Sequence, residues 1–187
     1  MTVVVLLIGA YLFLVKDTND QPKVVTASYE KNTVYMINGE SVQLVNGMAE
    51  SPAAPGSASK IITKYFGNEV RHDLNGDGRE DVVFLLSQET GGSGIFYYVV
   101  AALNMPEGYV GSQGLLLGDR IAPQTTEMSK NPSHQNVIIV NYADRKAGES
   151  FTTRPSEGKS IWLKLDPATM QFGEVVQNFE GEADPAR

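Results

Sequence analysis

The sequence predicts an all-β chain, an antiparallel sandwich or open barrel, on three observations. Short runs rich in Val, Ile, Tyr and Phe recur between Gly, Asn, Pro and Asp along most of the 187 residues, the pattern of strands joined by turns. Asn38-Gly39 and Asn46-Gly47 mark tight turns, because a type I′ hairpin needs positive φ at both central residues. After residue 20 no stretch carries a convincing helical period, with residues 58–66 the one ambiguous case.

The elements follow in order. Thr2 to Val15 is an uninterrupted apolar run that stops at Lys16-Asp17. As a helix it spans roughly 20 Å, short of the roughly 30 Å hydrocarbon core that about 20 residues cross. Its length suits a signal-peptide apolar region, but a basic start is missing, and the nearest small-residue cleavage pattern, Val25-Thr26-Ala27, lies well past the run. The expectation is an uncleaved N-terminal membrane-anchor helix over 1–16 whose true start lies further upstream. A buried amino-terminal strand is the alternative. Residues 17–32 read as a tether. Residues 33–50 read as a β-hairpin turning at Asn38-Gly39, and residues 51–59, dominated by Ser, Pro, Ala and Gly, as a linker.

The main β-domain is expected over 60–179. Strand candidates are 82–86, 95–103, 114–117, 124–128, 136–142, 160–165 and 171–176, and the continuous apolarity of 95–103 suggests a central place in a sheet. Residues 180–187 read as a disordered tail.

Composition excludes several classes of function. The net charge of −7, with no cluster of Lys and Arg, argues against nucleic acid as a partner. With no Cys there are no disulfides, zinc thiolates or cysteine nucleophiles. His72 and His134 are too few for a His-rich metal site. Gly-x-Ser-x-Gly is absent, and Ser156-Glu-Gly-Lys159 is a Ser-x-x-Lys match in a loop. The turn Gly91-Gly-Ser-Gly94 lacks the Lys and helix start of a phosphate-binding loop.

The most specific segment runs from Asp73 to Asp81. Hard cations such as Ca²⁺ take six to eight oxygen ligands, and a glycine-kinked loop supplies them at alternate positions. Here the donors are Asp73, Asn75, Asp77 and Asp81, with the backbone carbonyl of Arg79. Gly76 and Gly78 sit where the chain must turn sharply. Position 12 is Phe84 rather than the Glu of an EF-hand, and a β-branched and aromatic run follows, so the loop belongs to a β-hairpin. The competing reading is an Asx-rich turn that holds itself together without metal.

Residues 73–83 resemble the calcium loops of FG-GAP and VCBS repeat proteins, D-x-[DN]-x-D-G-x-x-D followed by two apolar strand residues. Those families stack several repeats into a propeller and this chain has one, so the resemblance implies only the ligand set Asp73, Asn75, Asp77, Arg79 and Asp81. More broadly, residues 34–47, 54–60, Tyr65-Phe-Gly-Asn68 and 117–126 are similar to an uncharacterised bacterial family of small membrane-anchored proteins, some joined to META-like domains. That similarity implies no established activity.

A second candidate is residues 143–158, a long connection of the kind that is often functional. Arg145, Lys146, Arg154 and Lys159 make it locally basic in an acidic chain, fit for an anionic ligand; a solvated hairpin loop is the alternative. Together these readings lead to an expected membrane-tethered, extracytoplasmic calcium-binding β-domain. It would act as a binding or envelope-associated module with a structural Ca²⁺, a single membrane pass, and a protein or envelope-polymer partner. An enzyme is the less favoured alternative, a calcium-dependent hydrolase of envelope polymer using Asp119, Asp144 or Glu149 as acid or base. A purely structural surface protein is the third.

Overall fold

A computed structural model describes residues 29–176; the expected anchor over 1–16, most of the tether and the tail over 180–187 lie outside the described residues. Among the described residues no helix is long and apolar enough to cross a membrane. A 3₁₀ turn, Tyr29–Asn32, leads into twelve strands. These are β1 (Val34–Ile37), β2 (Glu40–Gln43), β3 (Met48–Pro52), β4 (Lys60–His72), β5 (Asp81–Glu89) and β6 (Ile95–Met105), followed by β7 (Gly108–Gly111), β8 (Leu115–Asp119), β9 (Ala122–Met128), β10 (Val137–Asp144), β11 (Glu157–Asp166) and β12 (Gln171–Glu174).

The strands form three antiparallel layers, and no sheet closes into a barrel. The central layer runs β3-β4-β5-β6-β7, with β8 pairing the other half of the β6 edge. A four-stranded sheet, β12-β11-β10-β9, covers one face, and the β1-β2 hairpin covers part of the other. Strand side chains alternate between faces, so β5 and β6 feed two cores at once. Val83, Leu85, Val99 and Ala101 pack against Ile138, Val140 and Leu163 of the four-stranded sheet. Val82, Phe84, Leu86, Val100 and Ala102 pack against Tyr35, Ile37 and Leu44 of the hairpin layer. Continuous apolarity in 82–86 and 95–103 is the sequence trace of a strand buried on both faces.

The second core is aromatic. Phe84 meets Tyr35 edge-on at 5.6 Å and Tyr65 at 5.0 Å between ring centroids, contacts worth about 0.5–1.5 kcal/mol each beyond area burial. The buried Tyr35 hydroxyl donates to the Glu30 carbonyl at 2.7 Å, which fixes the 3₁₀ turn to the hairpin. Burial pushes the Tyr35 phenol far above its ordinary range, with the Glu30 charge acting in the same direction.

The ambiguous segment 58–66 is strand: β4 begins at Lys60 and bends at bulges around Gly67, where Gly67 (φ 111°) and Asn68 (φ 51°) take left-handed backbone. The bend lets Asn68 Nδ2 donate to the Gln124 carbonyl of β9 at 3.0 Å, linking the two large sheets at one side. Ser51 and Pro52, read from composition as the start of a linker, end β3, and residues 53–59 close the loop into β4 through Ala53 N–H to the Ser59 carbonyl, 2.8 Å. The hairpin and the main body therefore share one core, because Tyr35, Ile37 and Leu44 have the central sheet as their burial partner. Pro52 is tolerated in β3 because its position faces away from β4, where no donor is required.

Strand β1 also docks edgewise on residues 111–114. Met36 N–H donates to the Ser112 carbonyl at 3.2 Å, and Gly114 N–H donates to the Met36 carbonyl at 2.8 Å. The approach is close enough that a Cβ on Gly111 would lie 2.1 Å from the Val34 carbonyl oxygen. Gly111→Ala is therefore expected to cost about 1–3 kcal/mol in urea unfolding, the usual penalty of overpacking against unyielding atoms. Gly92→Ala, with nothing within 4 Å of its Cβ, serves as the control and is expected to leave stability within about 0.5 kcal/mol.

Candidate functional site

The loop of Asp73 to Asp81 joins β4 to β5 and is built around its own carboxylates. Asp73 Oδ1 accepts from the backbone N–H of Gly76 (2.7 Å) and Asp77 (3.2 Å), and Asp73 Oδ2 from Gly78 (2.8 Å). Asn75 Oδ1 accepts from Asp77 N–H at 3.0 Å, and Asp77 Oδ1 from Arg79 N–H at 2.8 Å. Gly76 and Gly78 have φ of 81° and 83°, the left-handed backbone expected of them. Leu74 plugs the loop into the first core, and Asn136 Nδ2 donates to the Leu74 carbonyl at 3.0 Å.

Asp81 is fully buried. Its Oδ2 accepts from Leu74 N–H and its Oδ1 from Asn104 N–H, each at 2.8 Å, so one carboxylate ties the loop to both β5 and β6. Burial pushes the Asp81 carboxyl upward; the two N–H donors oppose this, and the negative charges of Asp77 and Asp73 add to it. Asp73 is held below the usual carboxylate range by the Gly78 N–H first, with burial opposing and the Gly76 and Asp77 N–H groups assisting.

The donor set is all oxygen, as a hard cation requires. A carboxylate offers about four lone-pair sites, and Asp81 uses two of them on backbone N–H groups. Burial is the main cause of the upward push on Asp81, and the nearby Asp77 and Asp73 charges add to it. Part of that charge is already met by Arg79, whose guanidinium pairs with Asp77 Oδ2 and donates to the Asn104 carbonyl. Among the described residues no three His, Cys, Asp or Glu side chains converge in an arrangement that holds a metal ion. The loop therefore offers only oxygen donors, and its fold is stabilised by its own amide groups.

The basic connection forms a hairpin loop between β10 and β11, residues 145–156. The Arg145 guanidinium is committed to backbone, Nε to the Thr153 carbonyl at 2.7 Å and Nη1 to the Arg120 carbonyl at 2.9 Å. Lys159 is committed to Asp144 at 2.9 Å. The half-exposed Phe151 ring lies under two guanidinium groups, Arg120 at 4.2 Å and Arg145 at 5.6 Å. Of the four basic residues, only Lys159 makes an ion pair among the described residues, while the Arg145 guanidinium is held by carbonyls that leave its charge in place.

The three carboxylates considered for acid-base work each have a partner. Hydrogen bonding to Arg120 holds Asp119 below the usual range, and the Ile95 N–H donates to Asp119 Oδ1 at 2.9 Å. Burial pushes Asp144 up, but the Lys159 hydrogen bond and the Arg145 N–H outweigh it, and the net direction is down. Glu149 accepts from the Lys146 N–H at 3.0 Å, closing a local turn. A general acid needs a carboxyl raised towards neutrality, and neither Asp119 nor Asp144 is raised.

Two features have no counterpart in the sequence reading. The buried Glu30 accepts from Arg71 at 3.2 Å, and Arg71 also pairs with Glu69, which accepts from the Tyr65 hydroxyl at 2.7 Å. This polar staple locks the 3₁₀ turn to β4. The second is a groove of about 880 Å³ between β2 and β3, floored by the central sheet. No motif marks either, because each is assembled from residues far apart in the chain.

No protein-family model, no curated protein and no solved structure matches the chain.

Asp81→Ala is expected to lower stability by roughly 2–4 kcal/mol even in EDTA, since it strips two buried N–H groups of their acceptor; chemical denaturation with chelator present measures this. Asp119 yields a pH test. Its folded pKa is depressed, so its contribution is fully present above the unfolded carboxyl range and is lost as pH falls through the folded value. The difference between the wild-type chain and Asp119→Ala, about 1 kcal/mol at pH 7, is expected to shrink in acid denaturation series.

Proposed function

We propose that this chain is a membrane-tethered, extracytoplasmic β-domain carrying one structural Ca²⁺ in the loop of residues 73–81, and that it acts as a binding or envelope-associated module. The observation that carries the reading is the loop itself, a glycine-turned segment that places the oxygen-bearing side chains of Asp73, Asn75 and Asp77 together, with the buried Asp81 at its end. Asp73, Asn75, Asp77 and Asp81 would hold the ion with the Arg79 carbonyl. Calcium supplies charge neutralisation there, and its role is to staple the β4-β5 hairpin rather than to take part in a reaction. The apolar run from Thr2 to Val15 supports the tether, and millimolar external calcium would fill even a weak site.

The test is a calcium titration of the full chain in detergent micelles, by calorimetry and thermal melts, beside an Asp73→Ala/Asp77→Ala double variant. Saturation at about one ion is expected, with stabilisation on the order of 1 kcal/mol at millimolar calcium that the double variant loses. Absence of binding at millimolar calcium reduces the loop to a self-held turn and overturns the proposal.

A further inference from the structure

The hairpin layer is one strand too narrow for the face it covers. Strands β1 and β2 shield Phe84, Leu86 and Val100, while Ala49, Ile61 and Thr63 of β3 and β4, and Gln88 of β5, form the floor of the groove beside β2. The backbone register shows what that groove presents. Leu44 N–H bonds to the Thr33 carbonyl, which makes 33/44, 35/42 and 37/40 the hydrogen-bonded pairs of the hairpin. Ser41 and Gln43, at the alternate positions, therefore direct their backbone N–H and C=O groups away from β1. Among the described residues no strand pairs with them. A row of unpaired backbone groups along an edge is a template for another extended segment.

We propose that this groove binds an extended, basic peptide segment of a partner protein, which adds to β2 as a third strand of the hairpin layer. Pairing at Ser41 and Gln43 sets the segment about 4.8 Å from β2 and roughly 10 Å above the central sheet, the spacings of paired strands and packed sheets. Alternate side chains of the segment then face the floor at Ala49, Ile61 and Thr63, where small or β-branched groups fit. The Gln88 amide, held by its donation to Thr63 Oγ1 at 3.0 Å, is a polar marker on that floor. At about 880 Å³ the groove falls within the range of specific binding sites.

Charge selects the occupant. Glu40 and Glu50 line the groove, and no Lys or Arg does. Glu50 is paired with Lys60 at 2.8 Å, whereas Glu40 makes no ion pair among the described residues. A segment carrying Lys or Arg on its outward positions complements this rim. A second copy of the chain does not, since two molecules of net charge −7 repel. The proposal rests on the reading of the domain as a binding module and is independent of calcium.

The experiment uses the full chain in detergent micelles with EDTA present, so that failure of the calcium reading leaves it untouched. The probe is an end-capped hexapeptide alternating Lys with Val or Thr. Saturable binding is expected, with slowed hydrogen exchange at the Ser41 and Gln43 amides. Ser41→Pro, which removes an outward donor without breaking a β1-β2 bond, is expected to weaken binding at least tenfold, as is Glu40→Lys. A probe N-methylated at the pairing positions, or one with Glu in place of Lys, is expected to lose at least as much. Binding indifferent to N-methylation and to Ser41→Pro overturns the proposal. So does occupation of the groove by N-acetylglucosamine oligomers but not by the peptide, self-association that Ser41→Pro abolishes, or protection of Ser41 and Gln43 in the chain alone.

Discussion

Burial of β5 and β6 on both faces is the constraint on which the rest of the structure depends. A strand that is apolar on both sides has no face to offer water, so the central sheet needs a cover above and below. The four-stranded sheet supplies one cover in full through Ile138, Val140 and Leu163. The other cover is only a two-stranded hairpin, extended by the edgewise docking of β1 on residues 111–114. Tyr35 and Ile37 are large enough to bury Phe84 and Leu86, but two strands do not reach across β3 and β4. The groove is what remains of that unequal cover.

Asp81 connects this core to the loop. It opens β5, and both of its oxygens are taken by backbone N–H groups, one in the loop and one on β6. The same residue types that ligate calcium also make Asx turns, since each offers a short oxygen-bearing side chain that reaches a backbone N–H two to five positions on. A spacing of D-x-N-x-D-G serves either purpose. Asp73 and Asp81 differ in environment: amide donors hold Asp73 below its usual range, while burial above all pushes Asp81 up. Arg79 offsets the charge of Asp77 and reaches the carbonyl of Asn104, the residue whose N–H donates to Asp81.

Most of the strands were legible in the sequence, because Asn-Gly turns and β-branched runs are local signals and the double-sided strands are long. Their order in the sheets was not, since pairing of β6 with both β7 and β8 depends on bulges and on Gly118 at φ 159°. Residues 51–59 show where composition misleads. Small residues and prolines resemble a linker, yet Ser51 and Pro52 belong to β3, and Ala53, Ala54 and Pro55 line the groove beside β2. In the connection 143–158, composition does not show that the Arg145 guanidinium is fixed on two backbone carbonyls and that Lys159 is paired with Asp144, contacts no one-dimensional count registers. The staple of Glu30 and Arg71 spans 41 positions and leaves no local trace.

The management of strand edges points back to β2. An unprotected edge invites pairing with other chains, and stable β-proteins block their edges with proline, charge, bulges or a covering segment. Strand β3 carries Pro52 and the ion pair of Glu50 with Lys60. Strand β9 is met by the bulged β4 through Asn68. The edge of β1 is taken up by Ser112 and Gly114. Strand β2 has none of these devices on the side facing the groove; its Ser41 and Gln43 carry neither charge nor proline, and its one charged residue, Glu40, stands at the turn. An edge left open in a molecule that closes its neighbours, above a floor of small side chains, has the physical form of a site that another strand completes.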